Sequence, residues 1–211
     1  MRQEWDRFWA HQKGDVKGVS WSKKRIQNIL DSYVHPGLKV LDAGCGSGYF
    51  SQYFIARGCE TYTLDYSQDA LNLAKKITKG SSQEYICADL LDEAFAKDNR
   101  ARFDIIFSDG LFEHFSQKEQ DRILKNFKQM EKSNGKTITF VPNKYTLWRV
   151  LQPFYMPGIK ERPFSLSNLL ALYRRNSFKI EAFGGINVLP VSVSPESLGR
   201  WFGMLVYCIG E

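Results

Sequence analysis

Three glycines at alternate positions, Gly44, Gly46 and Gly48, constrain this chain more than any other feature. A short apolar stretch and Asp42 precede them, and an aromatic-rich helical pattern follows. A strand that turns at once into a helix needs residues without a Cβ where the backbone bends and approaches a ligand. We therefore predict a strand, a tight glycine turn and a helix, with a ligand beside the turn.

The spacing of these glycines restricts the class of ligand. A dinucleotide fingerprint, G-x-G-x-x-G, would place its third glycine at position 49, where this chain has Tyr49. The sequence thus argues against a turn that cradles a pyrophosphate. The acidic residue before the first glycine favours a cationic ligand instead.

Short apolar strands alternate with amphipathic helices along the chain, which predicts an α/β fold. Ser67 is a predicted helix cap, and Ser116 with Glu119 matches a capping box. The predicted strands span residues 39–42, 60–65, 84–88, 103–109, 136–141, 178–183 and 204–209. The predicted helices span residues 3–12, 20–34, 48–57, 67–77, 91–97, 116–131 and 165–175.

The acid and glycine spacing at residues 42–48 resembles the cofactor loop of class I S-adenosylmethionine (SAM)-dependent methyltransferases. The small-molecule enzymes of quinone biosynthesis are similar in type, and the resemblance covers residues 36–211. It implies a Rossmann-like three-layer sandwich with a seven-stranded, mostly parallel sheet in the order 3-2-1-4-5-7-6, the last strand antiparallel. One domain, 1–211, is expected, with a helical cap at 1–35, a cofactor-binding core at 36–142, a substrate lid at 143–164 and the rest of the sheet at 165–211.

The acids at the predicted strand ends match the family's cofactor residues. Asp65 ends the second strand, where a carboxylate can accept both ribose hydroxyls. The resemblance implies that Asp89 recognises the adenine amine and that Asp42 orients the methionine amino group; the alternative for Asp89 is a helix N-cap at 91. The predicted cofactor residues are Asp42, Ala43, Gly44, Cys45, Gly46, Gly48, Asp65, Tyr66, Asp89, Leu90 and Ser108.

The run from Ser108 to Phe115 is similar to the acid-x-x-x-Glu-His stretch of small-molecule methyltransferases. It follows the predicted fourth strand, so it should lie beside the methyl donor. His114 is a candidate general base because the unperturbed imidazole pKa lies near neutrality. Asp109 is a second candidate for catalysis or substrate positioning. In the alternative reading, Glu113 and His114 support the loop and the methionine end of the cofactor.

The segment at 143–164 interrupts the regular alternation and is rich in aromatic residues and proline. A segment of this length inside a compact domain is usually functional. Its apolar and basic side chains predict a lid for a small aromatic or lipid-like acceptor that carries a carboxylate or phosphate; packing onto the sheet is the alternative. The candidate substrate residues are Trp148, Arg149, Tyr155 and Arg162.

Composition limits the remaining classes. The net charge is +6, with basic excess near both ends, so an acidic substrate, a membrane surface or RNA could be a partner. No RNA-binding motif favours nucleic acid. The four cysteines are far apart, which argues against a metal site or disulfide framework and favours a cytoplasmic protein. No signal peptide or transmembrane stretch is expected.

These observations predict a SAM-dependent methyltransferase that transfers a methyl group to oxygen, nitrogen or carbon of a small molecule by in-line displacement. Two alternatives stay open. One is an RNA or protein methyltransferase that uses the basic ends of the chain. The other is a SAM-binding module without turnover. The oligomeric state is not predicted.

Overall fold

A computed structural model describes residues 20–146, 162–189 and 191–211. The strands are β1 (Lys39–Ala43), β2 (Glu60–Asp65), β3 (Glu84–Cys87), β4 (Phe103–Asp109), β5 (Glu131–Pro142), β6 (Ile180–Ile186) and β7 (Leu205–Gly210). The helices are α1 (Trp21–Leu30), α2 (Tyr49–Ala56), α3 (Gln68–Ile77), α4 (Glu93–Asp98), α5 (Gln117–Met130), α6 (Leu166–Arg175) and α7 (Gly199–Phe202). Short 3₁₀ turns span Phe112–His114 and Glu196–Leu198.

The strands form one sheet in the order β3-β2-β1-β4-β5-β7-β6. Strands β1 to β5 pair in parallel, whereas β7 is antiparallel to both β5 and β6. The predicted fold class and strand order are confirmed. Parallel strands joined by helices bring the carboxyl ends of β1 and β4 together at the point where the strand order reverses, which is where open α/β sheets bind ligands.

Successive strand residues point to opposite faces of the sheet, and helices pack against both faces. In β1, Leu41 packs with the side chains of α4, α5 and α6, and Val40 packs with those of α1 and α2. Asp42 is on the same side as Val40, where it meets Ser51 of α2. The alternation therefore decides that Asp42 faces the glycine turn and its helix.

The predicted start of the sixth strand is wrong by two residues. Ser177 adopts a left-handed backbone (φ 63°), and the Phe178 amide donates to the Tyr173 carbonyl at 3.1 Å. Phe178 thus belongs to the turn that closes α6, and its ring is buried in the core. The strand continues through Gly184 and Gly185 because these glycines admit neighbouring groups that a Cβ would displace.

Candidate active site

The turn from β1 into α2 is built from left-handed glycines. Gly44, Gly46 and Gly48 have φ values of 75°, 51° and 78°, which only glycine adopts without strain. A Cβ on Gly44 would lie 2.9 Å from the Leu111 side chain, and one on Gly48 would lie 2.7 Å from the Ala74 Cα. Gly44 therefore keeps the loop close to the 108–115 segment, whereas Gly48 packs α2 against α3.

Asp65 is fastened to the glycine turn by its own side chain. Its Oδ2 accepts from the Gly46 amide and its Oδ1 from the Ser67 amide, each at 3.0 Å. The carboxylate is buried and lines the cavity beside the turn. Each carboxylate oxygen has a second lone-pair direction, so the group can also accept hydroxyl donors from a ligand.

Asp42 is one of the deeply buried acids of the site. Its Oδ2 accepts from the Ser51 hydroxyl at 2.6 Å, and Thr63 donates to Ser51 at 3.0 Å. Burial raises the pKa of Asp42 to about 7, the Ser51 hydrogen bond opposes the rise, and the nearby carboxylates of Asp109 and Asp65 add to it. A positively charged ligand would stabilise this group of acids.

The segment after β3 forms a third wall. The Asp89 Oδ1 accepts from the Leu91 amide at 3.0 Å, and the Leu90 carbonyl accepts from Asn126 Nδ2 at 2.8 Å. Asp92, not Asp89, caps α4 by accepting from the Ala94 amide. The alternative reading of Asp89 as the helix N-cap is therefore wrong, and its carboxylate lines the cavity with Leu90.

The end of β4 brings both candidate catalytic groups to the cavity. Burial raises the pKa of Asp109 to about 7, and the Lys23 ammonium opposes that rise. Burial lowers the pKa of His114 to about 4. The imidazole is therefore neutral near pH 7, and its Nε2 lies 3.8 Å from Glu113 Oε1. A pKa near 7 matches general-base work at neutral pH better than a pKa near 4.

Lys23, on the first turn of α1, is a cavity residue that the sequence reasoning missed. Its Nζ lies 4.0 Å from the ring centroid of Tyr49, whose hydroxyl accepts from Gln27 Nε2 at 3.1 Å. Burial lowers the pKa of Lys23. The basic excess of the N-terminal region was the available signal, but no local pattern distinguishes this lysine from its neighbours.

The cavity has a volume of about 730 Å³ and gathers most of the predicted site. Its lining includes Asp42, Gly44, Cys45, Gly46, Asp65, Tyr66, Asp89, Leu90, Asp109 and His114. Ala43, Gly48 and Ser108 are not among its lining residues. Ala43 is buried in the core, and the Ser108 hydroxyl is buried 3.1 Å from Thr139 Oγ1, so both point into the sheet packing.

One of the four predicted substrate residues, Arg162, lies within the described ranges. Trp148, Arg149 and Tyr155 lie outside the described residues. Arg162 lines a neighbouring cavity of about 500 Å³, and Phe115 contributes to both cavities. The Arg162 amide donates to the Glu113 carbonyl at 2.9 Å, which holds position 162 beside the 3₁₀ turn.

Known proteins are similar to this chain in the region that builds most of the cavity. A family model described as a methyltransferase domain matches residues 40–135. The ubiquinone biosynthesis O-methyltransferase of Coxiella burnetii is 32% identical over 131 residues, which cover 61% of this chain and 54% of that protein. The malonyl-[acyl-carrier protein] O-methyltransferase of Hamiltonella defensa is 49% identical over 51 residues, 24% of this chain and 19% of that protein. The chain thus spans about half or less of these relatives.

Solved structures share the fold at low sequence identity. A putative methyltransferase from Haloferax volcanii superposes with a TM-score of 0.74 at 19% identity, covering 99% of this chain and 96% of that one. A SAM-dependent methyltransferase from Mesorhizobium loti gives 0.68 at 17% identity, covering 90% and 96%. Together with the matched family model and the strand order, these findings confirm the resemblance to class I methyltransferases.

Proposed function

We propose that this chain is a SAM-dependent methyltransferase that acts on a small molecule. The observation that carries the proposal is one cavity in which the glycine turn meets acids from the ends of β1, β2, β3 and β4. Its volume lies within the range of about 300–1,000 Å³ typical of ligand pockets. The family match and the O-methyltransferase relatives support the same activity.

The residues present fit a cationic adenosyl ligand. Acidic side chains outnumber the one lysine in the lining, and burial places the pKa values of Asp42 and Asp109 near 7. A sulfonium and an ammonium group would relieve the unfavourable proximity of these carboxylates. When bound, SAM supplies an electrophilic methyl group on positively charged sulfur.

The acids divide the recognition of this cofactor between them. Asp65 would accept the ribose hydroxyls, because the Gly46 and Ser67 amides already fix its orientation. Asp89 would accept the adenine amine, with Leu90 and Tyr66 against the ring. Asp42 would hold the methionine amine, and Gly44, Cys45 and Gly46 would line the cofactor's path. Any role of Ala43, Gly48 and Ser108 would be indirect, through the shape of the turn and sheet.

Asp109 is the side chain we assign as general base. It lies at the end of β4, and its raised pKa leaves it able to accept a proton from an acceptor hydroxyl near neutral pH. His114, neutral at that pH, would orient the acceptor or the 3₁₀ turn by hydrogen bonding. The Gly44–Leu111 contact keeps the turn and this segment together and helps to exclude water from the site.

The acceptor class is proposed from the relatives and the lining. Relatives named for ubiquinone biosynthesis and for malonyl-[acyl-carrier protein] both carry O-methyltransferase names, which favours oxygen as the methylated atom. Arg162, and the predicted lid residues Trp148, Arg149 and Tyr155, would contact an aromatic or acidic part of this molecule. Action in a reducing cytoplasm, suggested by four free thiols, belongs to the same proposal.

Isothermal titration calorimetry with SAM and S-adenosylhomocysteine tests the cofactor assignment first. A panel of phenols and carboxylic acids, incubated with methyl-labelled SAM, then tests turnover. Binding of both compounds and labelling of at least one acceptor, lost in Asp109→Asn, supports the proposal. Binding without turnover across the panel would favour the non-catalytic module, and absence of binding would overturn the proposal altogether.

A further inference from the structure

Exposed apolar side chains are concentrated in the connection between β6 and β7. Nine large apolar side chains are exposed among the described residues, and six of them lie between positions 189 and 202. Scattered exposed apolar residues are ordinary, but a contiguous group marks an interaction surface. The six are Leu189, Val191, Val193, Leu198, Trp201 and Phe202.

This connection is held rigidly to α1 by Arg25. The guanidinium donates to the Asn187 side chain and to the carbonyls of Leu189 (3.3 Å) and Val191 (2.7 Å). Its Nε also lies 2.7 Å from Glu196 Oε1. Arg25 thus satisfies two backbone carbonyls of the connection, those of Leu189 and Val191, while the side chains of both residues are exposed.

Close backbone packing fixes the end of the connection as well. A Cβ on Gly199 would lie 1.9 Å from the Gly185 carbonyl oxygen, so α7 rests directly on β6. Asn143 Nδ2 donates to the carbonyls of Trp201 and Gly203 at 3.0 Å each, which ties α7 to the end of β5. Trp201 and Phe202 remain 48% and 50% exposed on this rigid support.

Three of the exposed aromatic rings near these anchors, those of Trp21, Tyr145 and Trp201, have a cation over them. Arg200 lies 3.8 Å from the Trp201 ring centroid, Lys24 lies 4.7 Å from that of Trp21, and Lys144 lies 4.7 Å from that of Tyr145. Trp21 is on α1 with Arg25, and the Tyr145 amide donates to Asn143 Oδ1. We call Trp21, Tyr145 and the six apolar residues of the connection the aromatic patch.

Basic side chains outnumber acidic ones at the aromatic patch. Glu196 is the sole acid between positions 187 and 203, and its carboxylate is engaged by Arg25 and by the Asn187 amide at 2.8 Å. Lys24, Lys144 and Arg200 therefore add positive charge that no acid of the connection offsets. Apolar side chains with amphipathic aromatic rings and a cationic rim match the interfacial region of an anionic bilayer.

We propose that the aromatic patch binds the surface of an anionic phospholipid membrane. No helix in the described ranges is long and apolar enough to cross a bilayer. Trp201, Phe202 and the aliphatic residues enter the interface, and Lys24, Lys144 and Arg200 meet lipid phosphates. This inference does not depend on the proposed methyl transfer.

Co-sedimentation of the full chain with vesicles tests the proposal. The vesicles contain phosphatidylcholine alone or phosphatidylcholine with phosphatidylglycerol. The variants are Trp201→Ala/Phe202→Ala, Lys144→Gln and Arg200→Gln. Phe183→Ala is the matched control, because Phe183 is 49% exposed on β6 and lies outside the aromatic patch. Circular dichroism verifies that each variant is folded.

Wild-type protein and Phe183→Ala should bind the anionic vesicles, with affinity that falls as salt increases. The double variant should lose about tenfold or more in affinity, and each charge variant about fivefold. Equal binding by wild type and the double variant, or no preference for phosphatidylglycerol, would overturn the proposal. So would a dimer in solution that the double variant abolishes while vesicles bind nothing; the aromatic patch would then be a contact between copies of this chain.

Discussion

Two aspartates of the cavity, Asp42 and Asp109, are desolvated in the folded state at a cost in stability. Asp42 and Asp109 are held where burial raises their pKa values to about 7. A carboxylate in such a place disfavours folding at high pH, because its charged form is poorly solvated. Buried groups that lower the stability of the folded state are common at functional sites.

The ribose assignment of Asp65 gives the first prediction. Asp65→Ala should weaken S-adenosylhomocysteine binding by about 1–3 kcal/mol, because hydroxyl donors of the ligand would be left without an acceptor in a desolvated site. Calorimetry measures the change. Asp69→Ala, which removes an exposed acid from the first turn of α3, should bind as wild type does. Unchanged affinity in Asp65→Ala would remove the ribose assignment.

The role of Asp109 gives a second prediction. The activity of the wild-type enzyme, as kcat/KM, should rise with pH through about 7 as Asp109 loses its proton, and then level off. Asp109→Asn should lower the rate about 10²–10⁴-fold, and any pH dependence that remains near 7 would then come from Asp42. His114, with its pKa near 4, should contribute no inflection between pH 6 and 8.

The same variant should be more stable than wild type at alkaline pH. The unfolded pKa of an aspartate is near 3.8 and the folded pKa of Asp109 is about 7, so wild-type stability falls as pH rises across this interval. An asparagine has no such dependence. Thermal melts from pH 5 to pH 8 should therefore show a growing advantage for Asp109→Asn, and a constant difference would contradict the raised pKa.

The helices α3, α5 and α6 begin at serine residues whose side chains accept hydrogen bonds from the first turn. Ser67, Ser116 and Ser165 each accept from a backbone amide three residues ahead, and Glu119 completes the capping box with Ser116. Such contacts span only a few residues, so the predicted starts of α3 and α5 are confirmed. The start of β6 was misplaced because the Phe178 amide bonds back to α6, a contact that alternation of apolar residues does not reveal.

The cap of α5 gives a fourth prediction. Ser116→Ala removes the acceptor for the Glu119 amide and should lower the free energy of unfolding by about 1 kcal/mol. Urea titration measures this as a lower midpoint with an unchanged slope. Ser116→Thr keeps a hydroxyl that can accept from the Glu119 amide and donate to the Glu119 carboxylate, so it should stay close to wild type. Equal losses in both variants would argue against a capping effect.

For the molecule as a whole, topology converts distant sequence positions into one site. The cavity draws on positions 23 to 142 because parallel strands with helical crossovers put all their carboxyl ends on one edge of the sheet. Lys23 reaches this edge from α1, which also carries Arg25 and Trp21 toward the aromatic patch. One helix thus borders both proposed functional surfaces.

Ligand binding should be visible in the stability of the whole chain. S-adenosylhomocysteine at about one hundred times its Kd should stabilise the fold by about 2.7 kcal/mol, which corresponds to roughly 5–10 °C in Tm for a chain of this size. Differential scanning fluorimetry measures the shift. NAD is the control and should produce none, because Tyr49 occupies the position of the third glycine. An equal shift with NAD would contradict the argument from the glycine spacing against dinucleotide binding.

Short-range information was sufficient for the β1–α2 glycine turn, for β2 and β4, and for the acids at the strand ends, because each depends on residues only a few positions apart. Packing between elements far apart in the chain places Lys23 in the cavity and brings Gly185 against Gly199. The periodicity of apolar residues does not predict such packing. The pKa values of Asp42, Asp109 and His114 were likewise settled by tertiary structure, since desolvation depends on every group that closes around them.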